Sequence, residues 1–174
     1  MILNLVSPHD PRLRQPTQRF DFDNPPMDPK ELIDNLVETM VAKRGVGLSA
    51  NQVGLPYSVF VIGHPDVPED IITVFNPTIV SEDNHIVLAE EGCLSFEGLF
   101  VKIKRPESIR ARFTNERGQT DTVRLSGFTA RAFQHEYDHL QGIVFTDIAS
   151  KYHLDQGRRQ QKKLMKLRKQ RTAA

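Results

Sequence analysis

Two histidines four residues apart, with a carboxylate beside the first, stand in Gln134-His135-Glu136-Tyr137-Asp138-His139-Leu140. On an α-helix, positions i and i+4 lie one above the other on the same face. His135 and His139 can therefore turn two ring nitrogens toward one divalent metal, with Glu136 close enough to take protons from water activated there. A catalytic zinc-like centre usually takes three protein ligands and keeps one position open, so this pair is incomplete. The candidate for the third ligand is Cys93, the sole cysteine, in Glu91-Gly92-Cys93-Leu94-Ser95. With no second thiol it forms no internal disulfide, and thiolate is a good ligand for Zn(II) or Fe(II). Gln52 closes a run of small residues, 45–52, and its amide could donate to a developing oxyanion.

The elements that must position these groups read as α+β. Residues 1–27, broken by Pro8, Pro11, Pro16, Pro25 and Pro26, are too interrupted for a long element. A helix over 28–44 is signalled by Asp28 as N-cap, Pro29 at the first position and Glu31 completing a capping box, with Gly45 ending it. The stretch 45–52 reads as a loop whose glycines allow close approach to the backbone. Apolar, β-branched runs predict strands over 57–62, 71–75, 78–80, 85–89, 100–104, 108–113 and 120–125, with Asn76-Pro77 and 115–118 as turns. Alternation with charge on one side indicates antiparallel or mixed sheets wet on one face. A central helix over 129–141 carries the two histidines, with Gly142 just past its end. A final helix over 154–170 has only a thin apolar stripe.

A chain of 174 residues fits one domain with a real core. No apolar run is long enough to cross a bilayer, and the first twenty residues lack the apolar core of a signal peptide. A reducing, cytoplasmic location and a monomer are the expectations. The net charge of +1 conceals an asymmetry. Nine Lys/Arg and one acid, Asp155, lie in 151–174, leaving 14 basic and 21 acidic residues in 1–150. A catalytic body, 1–150, with a basic helical extension, 151–174, suggests that the extension meets a polyanion.

Three blocks in order, 45–52 (Gly-Val-Gly-Leu-Ser-Ala-Asn-Gln), 91–95 (Glu-Gly-Cys-Leu-Ser) and 134–140, resemble those of the peptide deformylases, as does the opening Ile2-Leu3 to Arg14. The resemblance covers roughly residues 2 to 148. It implies a metal-dependent hydrolase that removes the formyl group from formyl-methionyl peptides and nascent chains, releasing formate. It assigns Cys93, His135 and His139 as ligands of Fe(II), with Zn(II), Ni(II) or Co(II) able to take its place. It assigns Glu136 as general acid/base, and Gln52 with the backbone N–H of Leu94 as oxyanion donors. Val46, Gly47 and Gly92 match the segments that line the methionine pocket or pair with the substrate backbone. Phe128 and Arg131 fall at pocket positions that are aliphatic in some members, and Phe100 stands where some carry a substrate-contacting Arg. The resemblance also makes ribosomal RNA the partner of the basic extension. On that reading, removing residues from about Leu154 abolishes ribosome pelleting and spares activity on a short formyl-Met peptide.

Two other readings share the motif. A zincin-like metallopeptidase takes its third ligand downstream, where the nearest histidine, His153, lacks metalloprotease spacing. A structural metal site in an RNA-binding protein calls for a closed four-ligand set, and there is no second cysteine to complete one.

Overall fold

The first helix, α1 (Pro29–Ala42), begins as its sequence predicts, with the Asp28 carboxylate accepting from Lys30 N at 3.0 Å. The computed structural model describes residues 1–172. Leu32, Ile33, Leu36 and Met40 form the buried stripe of α1. Its end differs from expectation. Arg44, not Gly45, is the left-handed residue (φ 54°). Gly45 N donates to Met40 O and Arg44 N to Val41 O, both at 2.9 Å, a Schellman pattern. Gly45 is needed for a different reason: a Cβ there would lie 2.5 Å from Leu94 Cδ1.

Seven strands follow: β1 (Gly47–Ser49), β2 (Val59–Ile62), β3 (Ile72–Glu82), β4 (Ile86–Cys93), β5 (Phe96–Pro106), β6 (Ser108–Thr114) and β7 (Thr120–Ser126). They form a five-stranded sheet in the order β1-β2-β3-β6-β7 and a two-stranded hairpin, β4-β5, with every strand pair antiparallel. Two expectations change. The run 45–52 is not all loop, because Gly47–Ser49 pairs with Phe60–Ile62 and Ala50–Val53 makes a 3₁₀ turn. Asn76-Pro77 is not a turn but a bulge inside one long strand, where the register shifts between Phe75 and Thr78. Proline has no N–H for the ladder. Asn76, at φ 50°, recovers its polar contacts sideways, its side chain pairing with both the N–H and the carbonyl of Phe20.

Helices cover both faces of the sheet where it is most apolar. α1 packs with Leu48, Val59, Val61 and Phe75 on one side. The helix α2 (Gly127–Leu140) packs through Ala130, Phe133 and Leu140 against Phe60, Ile62, Val74, Ile109 and Ala111 on the other. β2 is therefore buried on both faces, which explains why 59–62 is apolar throughout rather than alternating. A third cluster, Leu99, Val101, Ile103 and Phe145, seals the hairpin against α3 (Phe145–Ile148), a short helix with no sequence signal. The last helix, α4 (Lys151–Thr172), begins three residues earlier than expected and lies along β5. Among the described residues no helix is long and apolar enough to cross a membrane.

Candidate functional site

Two elements bring the chemistry together. α2 buries His135, Glu136 and His139 on the side that faces the hairpin, and β4 ends at Cys93, where the hairpin reverses. One ligand atom from each of Cys93, His135 and His139 lies within 4.8 Å of the other two. Cys93 Sγ is 3.3 Å from His139 Nε2. On the other ring, Nδ1–H of His135 donates to Glu91 Oε2 at 3.0 Å, since a carboxylate can only accept. In the neutral ring that a metal would bind, this bond puts the lone pair of His135 on Nε2.

Electrostatics fit a cation at this point. Burial pushes His139 well below the ordinary histidine range, aided by the neighbouring His135 ring, so its imidazole is neutral. Burial alone would also lower His135, but hydrogen bonding to the Cys93 sulfur and the Glu91 carboxylate outweighs it and raises this ring well above its ordinary value. Two electron-rich groups thus favour positive charge beside one neutral imidazole. A soft sulfur and two nitrogens form a donor set suited to a borderline divalent transition metal. His139 Nδ1 and Glu136 Oε2 are the buried side-chain polar atoms without a hydrogen-bond partner among the described residues. An unmet buried group costs about 1–3 kcal/mol, so the free Glu136 oxygen marks a place for a bound group, whereas His139 Nδ1 lies on the other edge of its ring from the Nε2 that faces Cys93.

Glu136 is buried, and desolvation is the main reason its carboxyl is pushed up to about 7. Gly47 explains how it fits, because a Cβ at that position would collide with the Glu136 carboxylate. Gln52 is held from behind: its Oε1 accepts from Ser49 N and Ser49 Oγ, both at 2.9 Å. This aims Gln52 Nε2 at Ser95 Oγ (3.0 Å) and Cys93 Sγ (3.4 Å). Asn51 Nδ2 donates to His139 O at 2.7 Å and ties the 3₁₀ turn to the end of α2.

Behind the ligand atoms lies an ion-pair network that sequence reasoning missed. Glu91 accepts from Arg105 Nε (2.6 Å), Arg105 Nη2 (3.0 Å) and Arg131 Nη1 (2.8 Å) besides His135. Arg105 Nη1 reaches on to Asp138 Oδ2 at 2.7 Å. Burial would raise the Glu91 carboxyl, but bonds from His135 and Arg105 hold it at about 2, so it stays an anion. Glu91 and Asp138 sit inside motifs already singled out, and their neighbours drew attention instead. Arg105 carries no local signal at all.

A cleft of about 510 Å³ opens over this centre. Cys93, Leu94, His135 and Glu136 reach it, and so do Val46, Gly47, Gly92, Phe128 and Arg131. Gln52 and His139 lie behind, fully buried. Phe128 stands at the rim, 62% exposed. Arg131 offers the cleft only part of its side chain, because its guanidinium is engaged by Glu91, Val87 O and Ile103 O. Phe100 also lines the cleft, with its ring over Gly92, where a Cβ would lie 2.6 Å from the ring edge.

Residues 2–154 match the family model described as polypeptide deformylase. A peptide deformylase of Thermotoga sp. (strain RQ2) is 43% identical over 144 residues, 81% of this chain and 83% of that protein. One from Aquifex aeolicus (strain VF5) is 37% identical over 172 residues, covering 97% of this chain and all of the relative. The crystal structure of a peptide deformylase from Legionella pneumophila superposes with a TM-score of 0.85 at 30% identity, covering 97% of this chain and 98% of that one. With the match running through every block that builds the site, the chain belongs to the polypeptide deformylase family.

Proposed function

We propose that Cys93, His135 and His139 hold one divalent metal, natively Fe(II), and that Glu136 moves the protons of the reaction. The reaction is that of the family: metal-dependent hydrolysis of the N-formyl group from the terminal formyl-methionine of nascent polypeptides, releasing formate. When bound, the metal supplies Lewis acidity, polarising the formyl oxygen and making water acidic enough to ionise near neutrality. Glu136, buried and with one carboxylate oxygen unpartnered, is suited to accept the proton of the attacking water and return it to the departing amine. Burial, which raises this carboxyl above its ordinary range, favours its taking up the proton that it later returns.

Gln52 Nε2 and the backbone N–H of Leu94 are the proposed donors to the oxyanion that forms at the formyl carbon. The Gln52 amide is fixed by Ser49, so its donation carries little reorganisation. Val46, Gly47 and Gly92 lie where short stretches of main chain flank the cleft, suited to an extended peptide. Phe128 and the stem of Arg131 are the proposed walls near the methionine side chain. On the outer side of α4, Arg158, Arg159, Lys162, Lys163, Lys166 and Lys169 are exposed, which supports contact with ribosomal RNA phosphates.

The observation that carries the reading is the convergence of three ligand atoms within 4.8 Å beside an unpartnered buried carboxylate. The test is metal analysis of anaerobically purified protein, paired with formate release from formyl-Met-Ala-Ser. Glu136→Gln should retain the metal and lose about 100-fold to 10,000-fold in kcat. Cys93→Ser should lose both. Full activity in Glu136→Gln would remove the proton-transfer role.

A further inference from the structure

The solvent face of β6 and β7 carries cations with nothing to neutralise them. Ile109, Ala111 and Leu125 point into the core beneath α2, so the alternating residues Arg110, Arg112 and Arg124 face away from the catalytic helix. All three are exposed. Arg110 and Arg124 are directly paired across the two strands, with Arg112 two residues along on the same face. None of the three forms an ion pair among the described residues, a trait they share with exposed cations such as Arg19, Lys43 and Lys102; what sets them apart is their register, one directly opposite another. On the hairpin, by contrast, Lys102 registers opposite an acid, Glu90.

Like charges directly opposite one another destabilise a sheet. A cation on β7 has an ordinary use, since charge on an edge strand discourages pairing with another chain. That use does not account for two arginines on β6, an interior strand, nor for the third placed against one of them. The arrangement is costly in isolation and favourable only beside a polyanion. It is the more conspicuous because residues 1–150 carry 21 acids against 14 bases.

The neighbours narrow the choice of polyanion. Thr78 and Ser81 of β3 register beside Arg112 and Arg110, and Thr122 of β7 pairs with Arg112. Hydroxyls and guanidiniums are the donors that grip phosphate and sugar oxygens. No aromatic ring stands in register among them for unstacked bases, which argues against single strands. We propose that this face docks double-stranded RNA through its phosphate backbone, as a surface separate from α4. An enzyme of nascent chains works beside a particle built of such RNA, and two basic surfaces would hold it more firmly than one.

The experiment follows binding of a fluorescent RNA hairpin to the full chain by anisotropy over a salt series. Replacing Arg110, Arg112 and Arg124 together by Gln should weaken binding by about tenfold or more at low salt. The dependence of log K on log salt should become shallower by about one for each phosphate no longer neutralised. The corresponding triple Lys variant should retain most of that dependence, and both should release formate from formyl-Met-Ala-Ser at the parent rate. Arg124→Gln alone should hold or raise Tm, because it removes a like-charge pair. The same Gln triple placed in an Arg158→Gln/Arg159→Gln background should weaken binding further. Unchanged hairpin affinity in the Gln triple overturns the proposal, as does the absence of any additional weakening in the α4 background. An effect confined to anionic phospholipid vesicles, or to single-stranded RNA, overturns it equally.

Discussion

Glu91 accepts hydrogen bonds from His135, Arg105 and Arg131, so one carboxylate both orients a proposed metal ligand and anchors a buried and a half-buried arginine. Partners behind a metal ligand commonly contribute about 10–100-fold in metal affinity. Glu91→Gln keeps the shape and an acceptor for His135 while removing the charge that holds the arginines. We expect the metal to be stripped by a competing chelator at about 10-fold to 100-fold lower chelator concentration, with Tm reduced. An unaltered chelator titration would reduce Glu91 to a structural anchor. At this scale, much is readable from sequence. The types and spacing of His135, Glu136 and His139 identify a helical face, and a lone cysteine in a Gly-containing motif supplies the candidate third ligand. Arg105 is not readable, because it reaches Glu91 across a hairpin and Asp138 across 33 residues.

Among the elements, α4 changes most between sequence and structure. Read from sequence, it is a separable basic extension. In the fold it lies along β5, and its one buried residue is a glycine in mid-helix. Glycine there costs about 1 kcal/mol in helix propensity relative to Ala. Its use is close approach, since a Cβ on Gly157 would lie 2.5 Å from Phe100 O. Gln161 Nε2 donates to Glu97 O at 2.8 Å and Arg168 pairs with the Glu97 carboxylate at 2.5 Å, which fixes the start of β5. Phe96, Glu97 and Phe100 from that stretch line the cleft. Two outcomes are expected. Gly157→Ala should lower Tm by several degrees, because overpacking of about 1–3 kcal/mol exceeds the propensity gain. Removing residues from Leu154 onward should reduce formate release even from a short peptide. A truncated chain as active as the parent would show that β5 keeps its place unaided.

For the whole molecule, charge is separated from chemistry. The cleft lies between α2 and the hairpin, while Arg158, Arg159, Lys162, Lys163, Lys166 and Lys169 of α4 are exposed and, unlike Arg168, form no ion pair with β5 among the described residues. Since α4 packs along β5 and truncation is expected to disturb that strand, ribosome contact is better tested by charge reversal at exposed positions. Lys162→Glu, Lys166→Glu and Lys169→Glu together should abolish ribosome pelleting, leave activity on formyl-Met-Ala-Ser intact and keep α4 folded. Pelleting of the parent should fall steeply as salt rises, because phosphate contacts release counterions. Pelleting equal to the parent in this variant would exclude α4 as the contact.

What the sequence determined by itself was local or periodic. The capped start of α1, the alternation of β6 and β7 and the i, i+4 histidines each follow from short-range sterics and side-chain period. Motif order was sufficient for the family, since its blocks occur in sequence whatever the path between them. Only the tertiary structure decided the rest. Asn76-Pro77 has the composition of a turn, yet it is a bulge in a continuous strand, with Asn76 N held by Ser58 O and its side chain held by the Phe20 backbone. Gly45, Gly47 and Gly157 look like chain breakers, and they are points where Leu94, Glu136 and the Phe100 carbonyl press against the backbone. The two histidines were two-thirds of a site in sequence. The fold brings Cys93, already the sequence's candidate for the third ligand, to the two rings from the hairpin tip and adds Glu91 behind His135; the two stand 42 and 44 residues from that ring, and their approach depends on packing and not on pattern.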